Sequence, residues 1–256
     1  MTVDKMIKIG NKLVLIILIA YSFSMLIYPW FKGGFSWNYV HSVWYTWQSL
    51  NVGVLAFSSS IIAFNISRYN SEKQRQRDFI AERALLPQAL SDLCKYLEQS
   101  SEVLLEAYSR CGAPKDKQSE PLEAKLPVQS PQIVKVFQDC IRVADPSVGQ
   151  FLTVILGELQ VHSARLESTY NSFSSQSIML YDKLNYMSYL YCVGLLRART
   201  DKLFDFARGE SEFDSSALTI KDLKTAYHLM KIYPEFIDGL MEFSGRCLNR
   251  AVENNT

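Results

Sequence analysis

The chain has 256 residues, of which 48% are hydrophobic and 21% are charged, and its formal net charge is +1. This composition excludes a disordered or collagen-like chain, and the balanced charge excludes an overall basic field that would attract nucleic acid. The charges are unevenly placed, because residues 1–66 hold only four of the 27 basic and one of the 26 acidic side chains. This division excludes a purely soluble enzyme and predicts a membrane protein that carries a soluble domain.

Two uncharged stretches within residues 1–66 predict a transmembrane helical hairpin. The first runs over residues 13–31, and its 19 residues would form a helix of about 28 Å, close to the hydrocarbon thickness of a bilayer. The second runs over residues 43–66 and is more polar, and residues 32–42 supply the turn between the two spans. A cleaved signal peptide is the alternative for the first span, and a buried core helix is the alternative for the second.

The residues that flank the two spans predict their orientation. Basic side chains precede the first span and follow the second, so the positive-inside rule places both termini in the cytoplasm. Aromatic side chains cluster around the loop between the spans, where amphipathic rings favour the outer interface of the membrane. The interfacial aromatics of this group are Trp30, Trp37, Trp44 and Trp47.

The remaining chain reads as helical, so the predicted fold class is all-α, with a two-helix transmembrane hairpin followed by a cytoplasmic helical bundle. Residues 67–86 are predicted to form a juxtamembrane helical stalk, which is polar on all sides over residues 70–78 and should be solvated. Pro87 is expected to kink or end that helix. The bundle is predicted over residues 87–256, with an exposed, proline-rich linker at about 112–131.

Periodicity predicts four further helices in the bundle, at about 131–144, 147–171, 175–208 and 219–251, the last broken at Pro234. Gly209 lies just past the third of these and is an expected stop signal. Thr219 and Asp222 have the spacing of a capping box at the start of the fourth.

A stripe of polar residues in the second span is the candidate functional site. The positions that recur at spacings of three and four are Gln48, Asn51, Leu55, Ser58, Ile62 and Asn65, and the polar stripe consists of Gln48, Asn51, Ser58 and Asn65. An amide in hydrocarbon needs a hydrogen-bond partner. The stripe either packs on the first span, against Ser22 and Ser24, or pairs between copies in a homo-oligomer that lines an interface or a leaky pore.

A basic segment follows the second span. Its juxtamembrane basic residues are Arg68, Lys73, Arg75, Arg77 and Arg83. These cations are expected to set the topology and to contact anionic headgroups of the lipid bilayer. The acids Glu72, Asp78 and Glu82 dilute the positive field, so direct nucleic-acid binding is not predicted.

The bundle sequence predicts no enzyme, no metal site and no cofactor. The five cysteines are scattered without metal-ligand spacing, so they are expected to be reduced structural thiols. His162, beside Glu158 and Arg165, is expected to be solvated or ion-paired. Glu158, Asp182 and Asp205 can be combined on paper into an acidic site, although nothing in the sequence brings them together. No phosphate-binding, nucleophile-elbow, zinc-protease or kinase motif is present.

The short segment RALLPQALSDL at residues 83–93 places a basic helix before a Leu-Pro pair, after two membrane spans. In this architecture the chain resembles bacterial two-transmembrane proteins of defence islands, including the effectors encoded beside retron reverse transcriptases. The resemblance implies a multi-pass inner-membrane effector of antiphage defence by abortive infection. A regulatory nucleoprotein, a reverse transcriptase with its RNA/DNA product, would hold it inactive until infection. The alternative is a membrane-anchored helical adaptor or sensor that docks a cytoplasmic partner without forming a pore.

Overall fold

The computed structural model describes residues 3–113, 120–174 and 182–253. Every regular element within these ranges is helical, so the predicted all-α fold class is confirmed for this part of the chain. The chain divides into two compact units, residues 1–71 and residues 72–256. Each unit has its own internal packing and is described separately.

The first unit is a helical hairpin. Its elements are α1 (Val3–Ser22), a π-helical turn (Phe23–Ile27), α2 (Tyr28–Lys32), α3 (Trp37–Thr46) and the first part of α4 (Gln48–Arg83). The stretches Ile9–Lys32 and Gln48–Arg83 are long and apolar enough to cross a membrane. Their most apolar windows are only 6% and 0% buried, so the alternative of a buried core helix does not hold for the second stretch.

The connection between the two long helices differs from the predicted simple turn. The second span was expected to begin at Val43, but residues 43–46 belong to the short helix α3, and α4 begins at Gln48. The turn before α3 has Gly34 and Phe35 in the left-handed region. The Tyr39 ring lies so close to Gly33 that an added Cβ would be 2.5 Å from it. The Tyr39 ring of the extra helix thus packs directly on the turn.

The second unit is a bundle built around α5 (Leu86–Arg110). The other elements are α6 (Pro131–Val143), α7 (Pro146–Ser174), α8 (Lys183–Lys202), α9 (Phe204–Arg208), α10 (Ile220–Leu229), a 3₁₀ turn (Pro234–Phe236) and α11 (Leu240–Glu253). Helix α5 packs against α6, α7 and α8. Five leucines on its inner face are almost completely buried, which explains its central place: Leu86, Leu90, Leu93, Leu97 and Leu104.

Local signals predicted several helix ends correctly. Gly209 ends α9 in the left-handed conformation, with φ of 78°. The Thr219 hydroxyl accepts the N–H of Asp222 at 3.3 Å, and the Asp222 carboxylate accepts the N–H of Thr219 at 2.8 Å, so the capping box is confirmed. The predicted third helix is broken at Leu203, and its first part, residues 175–181, lies outside the described residues.

The segments on either side of α5 differ from the sequence expectation. Helix α4 ends at Arg83 and α5 begins at Leu86, so Pro87 lies in the first turn of the new helix, where its missing N–H costs no hydrogen bond. Residues 114–119 of the predicted linker lie outside the described residues. The part that follows is held against the bundle, because Leu122 is buried and the Glu106 carboxylate accepts backbone N–H groups of the next two residues at 2.9 and 2.8 Å.

Candidate functional site

Two side-chain hydrogen bonds join the long helices of the hairpin. The Asn11 side-chain NH₂ donates to the side-chain oxygen Oδ1 of Asn65 at 2.8 Å, and the Tyr21 hydroxyl donates to the side-chain oxygen Oδ1 of Asn51. We call the surface where α1 and α4 meet the hairpin seam. The order of the two pairs, 11 with 65 and 21 with 51, is that of antiparallel helices. The seam partners of the amides are thus Asn11 and Tyr21, not the expected Ser22 and Ser24.

The half-buried positions define which side of α4 faces the seam. They are Asn51, Val54, Ser58, Ile61 and Asn65, at alternating spacings of three and four. This alternation of three and four is typical of the contact face between helices that pack at a small angle.

The seam corrects the expected stripe in part. Asn51, Ser58 and Asn65 lie on it, whereas Leu55 and Ile62 are 68% and 60% exposed. Gln48 is also exposed. The two faces share residues 51, 58 and 65, but the face that meets α1 is completed by Val54 and Ile61 instead of Leu55 and Ile62, which rotates its centre by about 50°.

Several hydroxyl groups of α4 are satisfied within the helix itself. The Ser58 hydroxyl donates to the Val54 carbonyl at 2.7 Å, and Ser59 and Ser60 donate to the carbonyls four residues before them at 2.9 Å. The second hydrogen-bonding group of Asn65, its NH₂, donates to the Ile61 carbonyl at 2.9 Å. These bonds let a polar helix lie in an apolar medium at low cost.

The seam is not closely packed along its length. Helices α1 and α4 meet through side chains rather than by close approach of their backbones. A cleft of about 270 Å³ opens between them, with mixed polar and apolar walls. Its polar lining residues are Tyr21, Ser22, Asn51 and Ser58. The pair formed by Tyr21 and Asn51 therefore borders a space that another group could enter, whereas Asn11 and Asn65 do not line it.

A proline distorts the first helix beside this cleft. Pro29 has no N–H to offer to the carbonyl of Met25, four residues earlier. The chain widens into the π-helical turn at Phe23–Ile27, and the Trp44 indole N–H donates to the Met25 carbonyl at 2.8 Å. The side chain of the neighbouring helix thus replaces the backbone hydrogen bond that the proline removes.

The predicted interfacial aromatics form a chain of contacts at the loop end of the hairpin. The rings of Trp30 and Trp37 lie 5.8 Å apart, and those of Trp37 and Trp44 lie 6.1 Å apart in an edge-to-face arrangement. Trp47 occupies the break between α3 and α4 and is about half exposed. These contacts bring Trp30, Trp37 and Trp44 together.

Two of the basic residues after the hairpin belong to the bundle. Arg75 donates to the Val143 carbonyl and to the Asp145 carboxylate, both at 2.8 Å. Its hydrogen bond to Glu72 raises the pKa of Arg75 and lowers the pKa of Glu72. The segment 70–78, expected to be solvated on all sides, is therefore tied to the turn between α6 and α7.

Arg83 is the second basic residue held by the bundle. Its guanidinium lies over the rings of Phe79 and Phe206, at 5.8 and 5.5 Å from their centroids. Arg68, Lys73 and Arg77 are exposed.

The three acidic residues considered as a possible acidic site each have a different partner. Glu158 forms an ion pair with Arg199, Asp182 accepts the N–H of Leu184 at the start of α8, and Asp205 pairs with Arg208. Within residues 3–113, 120–174 and 182–253, no group of three or more histidine, cysteine or acidic residues is arranged to hold a metal ion.

His162 is more buried than the sequence indicated, whereas the cysteines are free, as expected. His162 is only 6% exposed, its Nε2 has no hydrogen-bond partner among the described residues, and burial lowers its pKa to about 4. The expectation of a solvated or ion-paired histidine is therefore wrong. All five cysteines are free, and burial raises the pKa of Cys94 to about 12 and that of Cys140 to about 11, which suppresses thiolate chemistry.

Comparison with known proteins returned no matching protein-family model, no matching curated protein and no matching solved structure.

Proposed function

We propose that this chain is an inner-membrane effector of antiphage defence, kept inactive by a partner complex and perturbing membrane integrity when released. The observation that carries the proposal is the incompletely filled hairpin seam. Asn11, Tyr21, Asn51 and Asn65 form two hydrogen bonds across it, beside a mainly apolar cleft that is also lined by Tyr21 and Asn51. The architecture also resembles that of bacterial two-transmembrane defence effectors.

The seam provides a physical route from a resting to an active hairpin. In a bilayer, hydrogen bonds between helices are worth about 0.6 kcal/mol on average and up to about 2 kcal/mol each. Pairing of Asn51 and Asn65 within the chain therefore competes on nearly equal terms with pairing to a second copy. On release, the same amides would pair between copies, and the assembled hairpins would admit water and ions.

The exposed surface of the hairpin supports a location in the membrane. Ile16 and Leu55 are 67% and 68% exposed, and they belong to a continuous apolar surface around both long helices. Such a surface in water would be strongly unfavourable. With the basic flanks on one side and the tryptophans on the other, we place the chain as a multi-pass protein with both termini in the cytoplasm.

The proposed partner is a regulatory nucleoprotein that the bundle binds. By analogy with the effectors that the chain resembles, this would be a reverse transcriptase with its RNA/DNA product. The bundle carries out no chemistry in this proposal. Its role is to bind the regulatory nucleoprotein, which keeps the hairpins of separate chains apart until the partner complex is damaged.

A membrane-anchored adaptor or sensor is the second candidate, because one observation favours it. Asn51 and Asn65 already accept side-chain hydrogen bonds within the chain, so these two amides do not need a second copy. In that case the hairpin is only an anchor, and the bundle docks a cytoplasmic protein.

Expression of the chain alone in bacterial cells distinguishes the two candidates. The seam variant Asn51→Leu/Asn65→Leu removes both hydrogen bonds and should weaken association by about 1–3 kcal/mol. The matched control Ser59→Leu/Ser60→Leu adds similar hydrophobicity at positions that lie off the seam. Cell growth, entry of a membrane-impermeant dye and cross-linking in the membrane are measured for all three proteins.

An effector predicts that the parent and the control arrest growth, admit the dye and cross-link. The seam variant should insert into the membrane and do none of these. Undiminished toxicity of an inserted seam variant would contradict the role of the seam. A parent chain that is harmless at high expression would contradict the effector and favour the adaptor.

A further inference from the structure

An open pocket of about 670 Å³ lies on the bundle, between the end of α4, the start of α7 and residues 206–215. Pockets that bind small molecules have volumes of about 300–1,000 Å³. Three phenylalanine rings line this one as a connected group, since the ring of Phe206 lies 6.1 Å from that of Phe79 and 5.6 Å from that of Phe213. The pocket therefore offers an apolar wall to part of an occupant.

The guanidinium of Arg83 is held at this pocket without an anionic partner. It lies over the rings of Phe79 and Phe206, and a Cβ added to Gly209 would be 3.3 Å from one of its terminal nitrogens. Within the part of the chain that the structure describes, Arg83 forms no hydrogen bond or ion pair through its side chain. A guanidinium presents a planar fork of N–H donors that matches a carboxylate. Because the rings hold this fork in place, it is ready to receive one.

Three acidic side chains also line the pocket, and two of them are already paired. Asp145 is bonded to Arg75 at 2.8 Å, and Glu210 pairs with Arg208 at 3.2 Å. Glu212 is exposed and forms no ion pair with the described residues. The unpaired charges at the pocket are thus one cation and one anion. This balance disfavours a doubly charged anion such as a phosphate monoester, and it favours a ligand that carries one charge of each sign.

We propose that this pocket binds a free α-amino acid with an apolar side chain. Arg83 receives the carboxylate, Glu212 attracts the ammonium group, and the side chain packs on the phenylalanine rings. This inference goes beyond the proposed membrane function and does not depend on it, since the pocket makes the bundle a receptor for a small molecule whether the hairpin is an effector or an anchor.

The test uses 4-fluoro-L-phenylalanine as the probe, because it combines both charges with an aromatic side chain. Binding to the full chain in lipid nanodiscs is followed by the fluorine NMR signal. Nanodiscs without the protein serve as the blank and correct for partition of the probe into lipid. We expect saturable binding to the protein above this blank.

Two truncated compounds test the two charges separately. In 3-(4-fluorophenyl)propionate the ammonium group is missing, and in 4-fluorophenethylamine the carboxylate is missing. Each compound keeps the aromatic ring and loses one charged contact. We expect each to bind about tenfold more weakly than the amino acid, since a hydrogen bond to a charged group is lost.

Two variants assign each charge to its residue. Arg83→Gln should weaken binding of the amino acid about tenfold and should not weaken binding of 4-fluorophenethylamine, which has no carboxylate to lose a partner. Glu212→Gln should weaken binding of the amino acid but not of 3-(4-fluorophenyl)propionate. The matched control is Glu167→Gln in α7, which is exposed and does not line the pocket. The control should bind all three compounds like the parent.

Arg83 also packs on two rings, so its loss could loosen the bundle. Arg83→Lys keeps the charge and removes the planar fork, and it should bind the amino acid more weakly than the parent. The exposed Glu212 makes Glu212→Gln a test that does not disturb the core. Absence of saturable binding to the parent would overturn the proposal. Equal affinity for the amino acid and both truncated compounds, or unchanged binding of the amino acid to Glu212→Gln, would also overturn it.

Discussion

At the scale of single residues, His162 shows how strongly burial changes the meaning of a sequence pattern. In the sequence it lies beside Glu158 and Arg165, which suggests an ion-paired surface position. In the bundle its ring is buried and meets the ring of Tyr96 edge-on, with centroids 6.0 Å apart. Its low pKa follows from that burial first and from the charge of Arg165 second.

The depressed pKa of His162 predicts an acid-dependent loss of stability. The unfolded chain takes up a proton near pH 6.5, whereas the folded chain does so only near pH 4. Stability contributed by the neutral histidine is therefore complete above pH 6.5 and is lost as the pH falls towards 4, by about 3 kcal/mol in total. The measurement is urea unfolding of the full chain in detergent, followed by circular dichroism between pH 7 and 4.

The control for this prediction is His162→Leu, measured over the same pH range. The charge of Arg165 on the same helix also disfavours protonation of His162, and it is unchanged in the variant. The difference between the parent and the variant isolates the histidine. A parallel pH dependence in the two proteins would show that His162 does not supply it.

At the scale of helices, the close contact between α8 and α10 depends on one glycine. A Cβ added at Gly194 would be 2.4 Å from the ring of Tyr227. That ring is fully buried, and its hydroxyl is 2.8 Å from the Ser244 hydroxyl of α11. Burial raises the pKa of Tyr227, which is consistent with a ring that has no room to move towards solvent.

Gly194→Ala is therefore expected to destabilise the bundle by about 1–3 kcal/mol through overpacking, although alanine has the higher helix propensity. The control is Gly245→Ala, where the added Cβ meets no other atom within 4 Å and should stabilise its helix by up to about 1 kcal/mol. Thermal unfolding of the two variants should move in opposite directions. A Gly194 variant as stable as the parent would mean that Tyr227 can shift at low cost.

Helix identities and some helix ends were predictable, because their causes are local. The capping box at Thr219 and the stop at Gly209 involve residues within one turn of each other, and the fold reproduces both. The side of α4 that contacts α1 was not fully predictable, since it depends on both helices. Polar residues alone indicated Gln48 as a member of the stripe, but contact with α1 selects Val54 and Ile61 instead.

Contacts between distant segments explain the remaining differences. The hydrogen bonds from Arg75 to the turn between α6 and α7 join residues about 70 positions apart, so no local pattern could indicate them. The same holds for the partners of the hairpin amides, since Asn11 and Asn65 lie 54 positions apart. The identity of the polar residues was predictable, whereas their pairing was not.

At the scale of the whole molecule, the proposed topology makes a direct labelling prediction. Ser36 lies in the loop of the hairpin and Asn249 lies in α11, and both are exposed. With both termini in the cytoplasm, a membrane-impermeant maleimide added to intact bacterial cells should label Ser36→Cys above the level of the parent chain. It should not label Asn249→Cys until the cells are permeabilised. The opposite pattern would invert the assigned orientation.

The π-helical turn at Phe23–Ile27 also determines how the helix before it is rotated relative to the helix after it. A wide turn holds one residue more than an α-helical turn, and each residue of an α-helix advances the chain by about 100°. The turn therefore sets the rotation of α1, which carries Asn11 and Tyr21, relative to α2, which contains Pro29. Deleting one residue between 23 and 27 would rotate one part against the other by about 100°. The seam amides and the tryptophan contacts could then no longer be satisfied together, so the length of this short segment is as constrained as its composition.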